Sequence, residues 1–390
     1  MAIANKSSIA LLATIIFSRM LGLFMFLPVF AIAGQDLAES NWTRIGLAIG
    51  IYGLFQALLQ LPFGILSDRY GRRPLVLFGL LLFAAGGIIA GLSDSIWGVI
   101  LGRALQGAGA VSSAILAWAA DLTPVEDRSK AMAVLGMVIG LAFGLSLFIG
   151  PVLYDAVGLS GLFYFTSGLA ALGMLVSLWV PEQQQKNPQA IQIRAVFSAV
   201  VGNKWPFNFS VFLLHFLMTG LFLVLPSLLA NVGLTLLSQH AWMYLPTMAL
   251  GFFIMLPMMI YAEKKQRILA IIQLNIALLA VSLLILQLHL HGLWVAALGL
   301  LVYFTAFNLL EALMPSWVSR LAEQENTKGA SLGAYAASQF LGAFAGSSVG
   351  GMMLDYNGLQ PWLWTLLAVV IAWYFVIRLI FITQQGRRQA

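Results

Sequence analysis

The sequence has 390 residues, 61% of them hydrophobic and only 9% charged. A soluble domain carries about 25% charged residues, so one water-soluble globule is excluded and the composition places the chain among membrane proteins. With no cysteine there is no disulfide framework or thiol chemistry, and the net charge of +6 is read as loops placed by the positive-inside rule, so no nucleic-acid partner is expected.

Twelve apolar runs follow one another, at 9–33, 44–66, 74–92, 95–120, 131–154, 160–180, 207–231, 239–261, 267–288, 292–317, 329–354 and 361–383. Each is about the length of a membrane span. Backbone groups in lipid must be satisfied within their own segment, so these runs predict helices; the alternation of a membrane barrel is absent. The first run, about 25 residues behind Lys6, is too long for a signal peptide and is read as a retained span. Between spans 2 and 3 stands Gly64-Ile-Leu-Ser-Asp68-Arg69-Tyr-Gly71-Arg72-Arg73-Pro74, whose four charges require water at a membrane face. Spans 9 and 10 are separated only by His289, His291 and Gly292. The segment 181–206 is the longest polar connection, so the expected organisation is a bundle over 1–180, a cytoplasmic linker over 181–206 and a second bundle over 207–390.

Charge sorting sets the orientation. The N-terminus and the loops after the even-numbered spans hold Lys6, Arg69, Arg72, Arg73, Arg128, Lys130, Lys186, Arg194, Lys204, Lys264, Lys265, Arg267, Arg320 and Lys328, while the opposite loops hold only Arg44 beside Asp36, Glu39, Asp94, Asp155 and Asp355. Both termini are therefore expected in the cytoplasm.

The halves repeat. Leu21-Gly22-Leu23-Phe24-Met25-Phe26-Leu27-Pro28 matches Thr219-Gly220-Leu221-Phe222-Leu223-Val224-Leu225-Pro226; Leu61-Pro62 matches Leu256-Pro257; Tyr154-Asp155 matches Leu354-Asp355, at offsets of 198, 195 and 200. Two parallel six-span halves are a transporter architecture. In the Leu-Pro register Asp68 aligns with Glu263, Arg69 with Lys264 and Arg72 with Arg267, so the charged turn has a degraded copy without the glycines.

Gly64 to Arg73 resembles motif A of the major facilitator superfamily. The resemblance implies an all-α membrane fold of twelve helices in two pseudo-symmetric six-helix bundles. It also implies a latch on the cytoplasmic side, formed by Gly64, Asp68, Arg69, Gly71, Arg72 and Arg73, with Glu263, Lys264 and Arg267 as a second-half gate. Physically, Gly64 and Gly71 would permit close approach and a tight turn, and Asp68 would cap a helix N-terminus or pair with an arginine. Asp121, closing span 4, is either a further member or a solvated helix end. Arg73 also reads as a plain positive-inside charge. Arg103 to Gly109, with Gln106, resembles motif B; an arginine at that depth is expected to face the bundle interior and find a partner. Gly150-Pro151 with Ser146 resembles part of an antiporter signature, the alternative being tight packing of small residues; span 11 repeats the pattern with Gly342, Gly346, Gly350 and Gly351.

Glu311 in span 10 and His215 in span 7 are the only carboxylate and the only histidine well inside apolar runs, and their depths overlap. Such a pair can load and release a proton as water access changes; the plainer readings are a structural pair and a hydrogen-bonded core histidine. Asn308, one turn before Glu311, shares its face. Arg19, deep in span 1, has no carboxylate within an N-terminal span and is expected to face the cavity, anchoring an anion or balancing a carboxylate. Gln56, Gln60, Ser338 and Gln339 are further candidate cavity residues.

The string Ser18 to Pro28 with motif A, His215 and Glu311 resembles the YajR-like branch of proton-driven drug exporters. That implies a bacterial inner-membrane antiporter, exporting small hydrophobic or drug-like molecules by alternating access, powered by the proton gradient with no cofactor and no metal, and working as a monomer in the lipid bilayer. The alternative is a proton-coupled importer or facilitator of a sugar or other metabolite. Some members carry a soluble domain after span 12, and its absence is expected here. No nucleophile–base constellation or phosphate loop appears, so no enzyme is expected.

Overall fold

The computed structural model describes residues 2–182, 204–287, 292–324 and 328–389, and these are almost entirely helical. They form two compact units, Met1–Ile191 and Gln192–Ala390. The expected linker 181–206 falls largely on residues outside the described ones, as do His289 and His291.

In the first unit the helices are α1 (Ala2–Phe24), the short α2 (Phe30–Ala33), α3 (Trp42–Tyr70), α4 (Arg72–Gly91), α5 (Ile96–Ala108), α6 (Ser112–Asp121) and α7 (Arg128–Trp179). Starts follow local chemistry: Asn41 accepts from the Arg44 amide at the head of α3, and Ser95 accepts from the Trp97 amide at the head of α5. Gly71, at φ 98°, turns α3 directly into α4, a conformation that a side chain would strain.

The 52-residue α7 is two helices, spans 5 and 6, that meet without a loop at Gly158, where φ is 70° and ψ is −175° and the chain reverses. In a straight helix Phe143 and Phe163 would lie about 30 Å apart. Instead Phe143 packs edge-on against Phe24 and Phe163 stacks on Phe26. The two arms of α7 therefore straddle the end of α1.

The second unit contains α8 (Trp205–Phe222), α9 (Leu225–Asn231), α10 (Leu237–Lys264), α11 (Ile268–Gln287), α12 (Leu293–Gln324), α13 (Lys328–Asn357) and α14 (Leu359–Gln389). Here α13 lies against α8 because Gly342 and Gly346 have no side chain: an added Cβ would collide with the carbonyl oxygens of Phe212 and Phe216. Trp362 Nε1 donates to the Gly220 carbonyl at 2.9 Å and Trp373 Nε1 to Ser210 Oγ at 3.0 Å, fixing α14 to α8.

By length and composition ten helical stretches among the described residues can cross a membrane. Counting the two arms of α7 separately and adding α13, whose glycines and serines lower its hydropathy, gives twelve passes, six in each unit.

Three predicted spans are not continuous. Span 1 breaks at 25–29, a stretch that includes Pro28, and span 7 breaks at 223–224, just before Pro226. Proline lacks an N–H and crowds the preceding turn, so the repeated Leu-Pro string is a repeated interruption. Span 4 breaks at 109–111, between α5 and α6. Gly109 sits hard against α4 there, where an added Cβ would collide with the Gly79 carbonyl oxygen.

Candidate functional site

The turn at 64–74 is organised around Arg72, the first residue of α4. Its guanidinium pairs with Asp68 one turn back, reaches Asp121 Oδ2 at the end of α6 through Nε at 2.9 Å, and donates to Ser67 Oγ at 2.6 Å. Ser67 in turn donates to the Gly64 carbonyl at 2.8 Å. One buried cation thus joins the ends of α3, α4 and α6, and Asp121 is a member of the cluster rather than a solvated helix end.

Arg73 is more than a plain positive-inside charge. It donates to the Val180 carbonyl at 2.6 Å and lies 3.6 Å from Glu182 Oε2, while Trp118 Nε1 donates to the Pro181 carbonyl at 2.9 Å. Arg69 stays outside the cluster; it is exposed, with its guanidinium over the Tyr70 ring at 5.5 Å. Gly64 is not required for close approach, since an added Cβ would meet Ser113 Oγ at an ordinary 3.7 Å. At this level Ser113 spaces α6 from α3 through its hydrogen bond to the Gln60 carbonyl at 2.9 Å.

The second-half gate takes a different form from the sequence alignment. Glu263 pairs with Arg320 Nη2 at 3.1 Å, whereas Lys264 and Arg267 are exposed and stand outside the pair. Arg320 lies at the repeat position of Asp121, an offset of 199 against 195–200 elsewhere. The repeat register could therefore have found it, with the sign of the charge inverted.

Arg19 differs from its expected role. It is 1% exposed and donates to Ser112 Oγ at 2.7 Å, Tyr52 Oη at 2.7 Å, Gln56 Oε1 at 2.6 Å and the Gly109 carbonyl at 3.2 Å. It is consumed by its own unit, clasping both sides of the break in span 4, and does not point into open space. Arg103 is also buried. It donates to Gln106 Oε1 at 2.9 Å, its guanidinium lies 4.9 Å from the Phe26 ring and 5.0 Å from the Tyr52 ring, and Gln106 passes the chain on to Thr166. Gly150 meets the interrupted segment after α1, where an added Cβ would be 2.5 Å from the Met25 carbonyl oxygen; the next residue, Pro151, is buried within α7.

In the second unit the structure brings Glu311 and His215 together, with Nε2 and Oε2 3.9 Å apart. Gln339 on α13 bridges them, its Nε2 2.8 Å from His215 Nε2 and 3.1 Å from Glu311 Oε1. His215 Nδ1 faces the Val211 carbonyl at 3.1 Å, and Phe307 packs beside the ring. Glu311 Oε2, Asn308 Nδ2, Tyr303 Oη and Tyr335 Oη are buried with no hydrogen-bond partner among the described residues. The bridging by Gln339 had no signal in the sequence beyond its polarity. Among the described residues no group of His, Asp and Glu could hold a metal ion.

The family model described as Major Facilitator Superfamily matches residues 12–347. The inner membrane transport protein YajR of Escherichia coli (strain K12) is 41% identical over 89% of this chain and 78% of its own length. The class H tetracycline resistance protein of Pasteurella multocida is 31% identical over 40% of this chain and 38% of its own length. Among solved structures, a mutant of the nucleoside transporter NupG superposes with a TM-score of 0.75 at 14% identity, covering 96% of this chain and 99% of that one, which speaks to the fold alone. The chain belongs to the Major Facilitator Superfamily and is a membrane transporter of small molecules, not an enzyme.

Proposed function

We propose that the protein is a proton-coupled antiporter that exports small hydrophobic or drug-like molecules by alternating access. The observation that carries this reading is the Glu311–Gln339–His215 cluster: the one carboxylate deep in an apolar run is hydrogen-bonded on one oxygen, buried and unbonded on the other, and beside an imidazole. A carboxylate so placed is costly to bury, and such residues mark ion or proton pathways. The name of YajR supports an inner-membrane site, and that of the tetracycline resistance relative supports a drug-like compound. Both termini lie in the cytoplasm on this reading, and the Arg72 cluster with the Glu263–Arg320 pair works as an asymmetric inner gate. Gly150 and Pro151 would serve the antiport cycle by letting α7 move against the interrupted end of span 1. The protein works as a monomer without a cofactor.

The test uses protein reconstituted in vesicles with a pH-sensitive dye, after a growth screen of a deletion strain has named toxic compounds. Addition of such a compound should move protons in the opposite direction, and Glu311→Gln should abolish that movement. Co-directional proton movement would favour the importer, and unchanged pH-driven transport in Glu311→Gln would sink the assignment of the proton to Glu311.

A further inference from the structure

Gln339 touches both ionisable groups of the cluster through one atom. An amide nitrogen has two hydrogens and offers no lone pair, so His215 Nε2 and Glu311 Oε1 must both be acceptors. On the other side of the ring the Val211 carbonyl can only accept, so Nδ1 carries the hydrogen. The two contacts define one state of His215: neutral, hydrogen on Nδ1, lone pair on Nε2.

The amide cannot be turned over without changing that state. With the amide oxygen in the middle, His215 would need a hydrogen on Nε2 as well as on Nδ1 and would be an imidazolium, and the oxygen would face the Glu311 carboxylate oxygen. Proton binding therefore discriminates between the partners. A proton on Glu311 Oε2, which has no hydrogen-bond partner among the described residues, forms one O–H bond, leaves Oε1 accepting and disturbs neither amide hydrogen bond. A proton on His215 Nε2 sets two N–H groups against each other across the 2.8 Å contact.

We propose that Gln339 is a positioning residue that locks His215 as a neutral acceptor and thereby directs the proton to Glu311. Its use in transport rests on the proton-coupled reading above, but the lock itself does not. The groups around the cluster leave this balance intact. Among the described residues, the other titratable groups within electrostatic reach of Glu311 are Tyr303 and Tyr335, phenols that are neutral near pH 7. The sequences of α9 and α11 contain no titratable residue, α14 presents Trp362 and Trp373 to α8, and α10 sets Tyr244 against Phe222 and His240. Further along α12, Arg320 is matched by Glu263.

The experiment is ¹⁵N NMR of protein in lipid nanodiscs with labelled histidine rings, His215 being identified by its loss in His215→Gln. Infrared difference spectra follow the Glu311 carboxyl band, identified by its loss in Glu311→Gln. The wild type should show the neutral Nδ1–H form between about pH 5 and 8 while Glu311 takes up its proton. Gln339→Leu should give His215 a titration step in that window, and Gln339→Glu, which offers an acceptor, should give an imidazolium. An Nε2–H tautomer in the wild type, or a His215 that titrates ahead of Glu311, overturns the proposal without any variant having to fold. Proton flux is read separately: a locked His215 with no flux refutes the antiport reading alone, and flux with a freely titrating His215 refutes this one alone.

Discussion

Arg19 and Arg72 are both buried guanidiniums, and their partners set what their loss would do. Arg19 serves four neutral acceptors around the break in span 4. Arg19→Met removes the donor that these acceptors share, and a buried acceptor that loses its donor costs about 1–3 kcal/mol. The expected outcome is a fall in thermal unfolding temperature in detergent with an unchanged KM in the folded fraction; a substrate-anchoring arginine would instead change KM and leave the unfolding temperature alone. Arg19→Lys should not rescue, because a point-like ammonium cannot span a forked set of acceptors. Asp121→Asn removes one of two carboxylates from Arg72 and should lower stability by about 1–2 kcal/mol, read from the same unfolding curves. These residues differ in how much of their role the sequence displayed. The Arg72 cluster was legible because Asp68 and Arg72 sit in one short string. The Arg19 partners were not, because Tyr52 and Ser112 are 33 and 93 residues away and only the packed helices bring them together.

At the scale of elements, hydropathy located the spans because lipid demands long apolar runs. It could not locate the interruptions, since the runs stay apolar through 25–29, 109–111 and 223–224. Prolines and glycines stand at these places, but the same residues also occur inside unbroken helices: Pro62 lies within α3, and Pro246 and Pro257 within α10. The glycines can be sorted only by what they touch. Gly342→Ala would drive a Cβ into the Phe212 backbone, which cannot swing aside like a side chain, so α13 should separate from α8 and the unfolding temperature should drop. Gly140 has nothing within 4 Å of an added Cβ, so Gly140→Ala should be neutral or stabilising by up to about 1 kcal/mol, the helix-propensity difference. Equal effects from the two substitutions would show that packing does not decide between them.

On the scale of the whole molecule, the two halves are copies in architecture and opposites in detail. A carboxylate closing one helix, Asp121, has a repeat counterpart of opposite sign in Arg320, and each forms an ion pair within its own unit. The repeat was legible from three short strings; the inversion was not, because sequence registers position and not pairing. The orientation inferred from charge sorting is checked by labelling, for which a chain without cysteine is a clean background. Single cysteines at the exposed positions Arg69 and Lys264 should resist a membrane-impermeant maleimide in whole cells, and one at exposed Glu39 should react. The reverse pattern would invert the topology.

The break in span 4 also constrains how the chain is made. As it leaves the insertion machinery, this segment carries a buried arginine, Arg103, and an unwound stretch whose Gly109 carbonyl is met by Arg19 of the first span. Lipid cannot supply those partners. Span 4 is therefore expected to draw on spans already in place, its partner Arg19 standing 90 positions earlier in the chain. A nascent chain truncated after α6 should hold span 4 in the membrane when Arg19 is present. It should lose part of that insertion with Arg19→Met, as read by a glycosylation or labelling tag at its end.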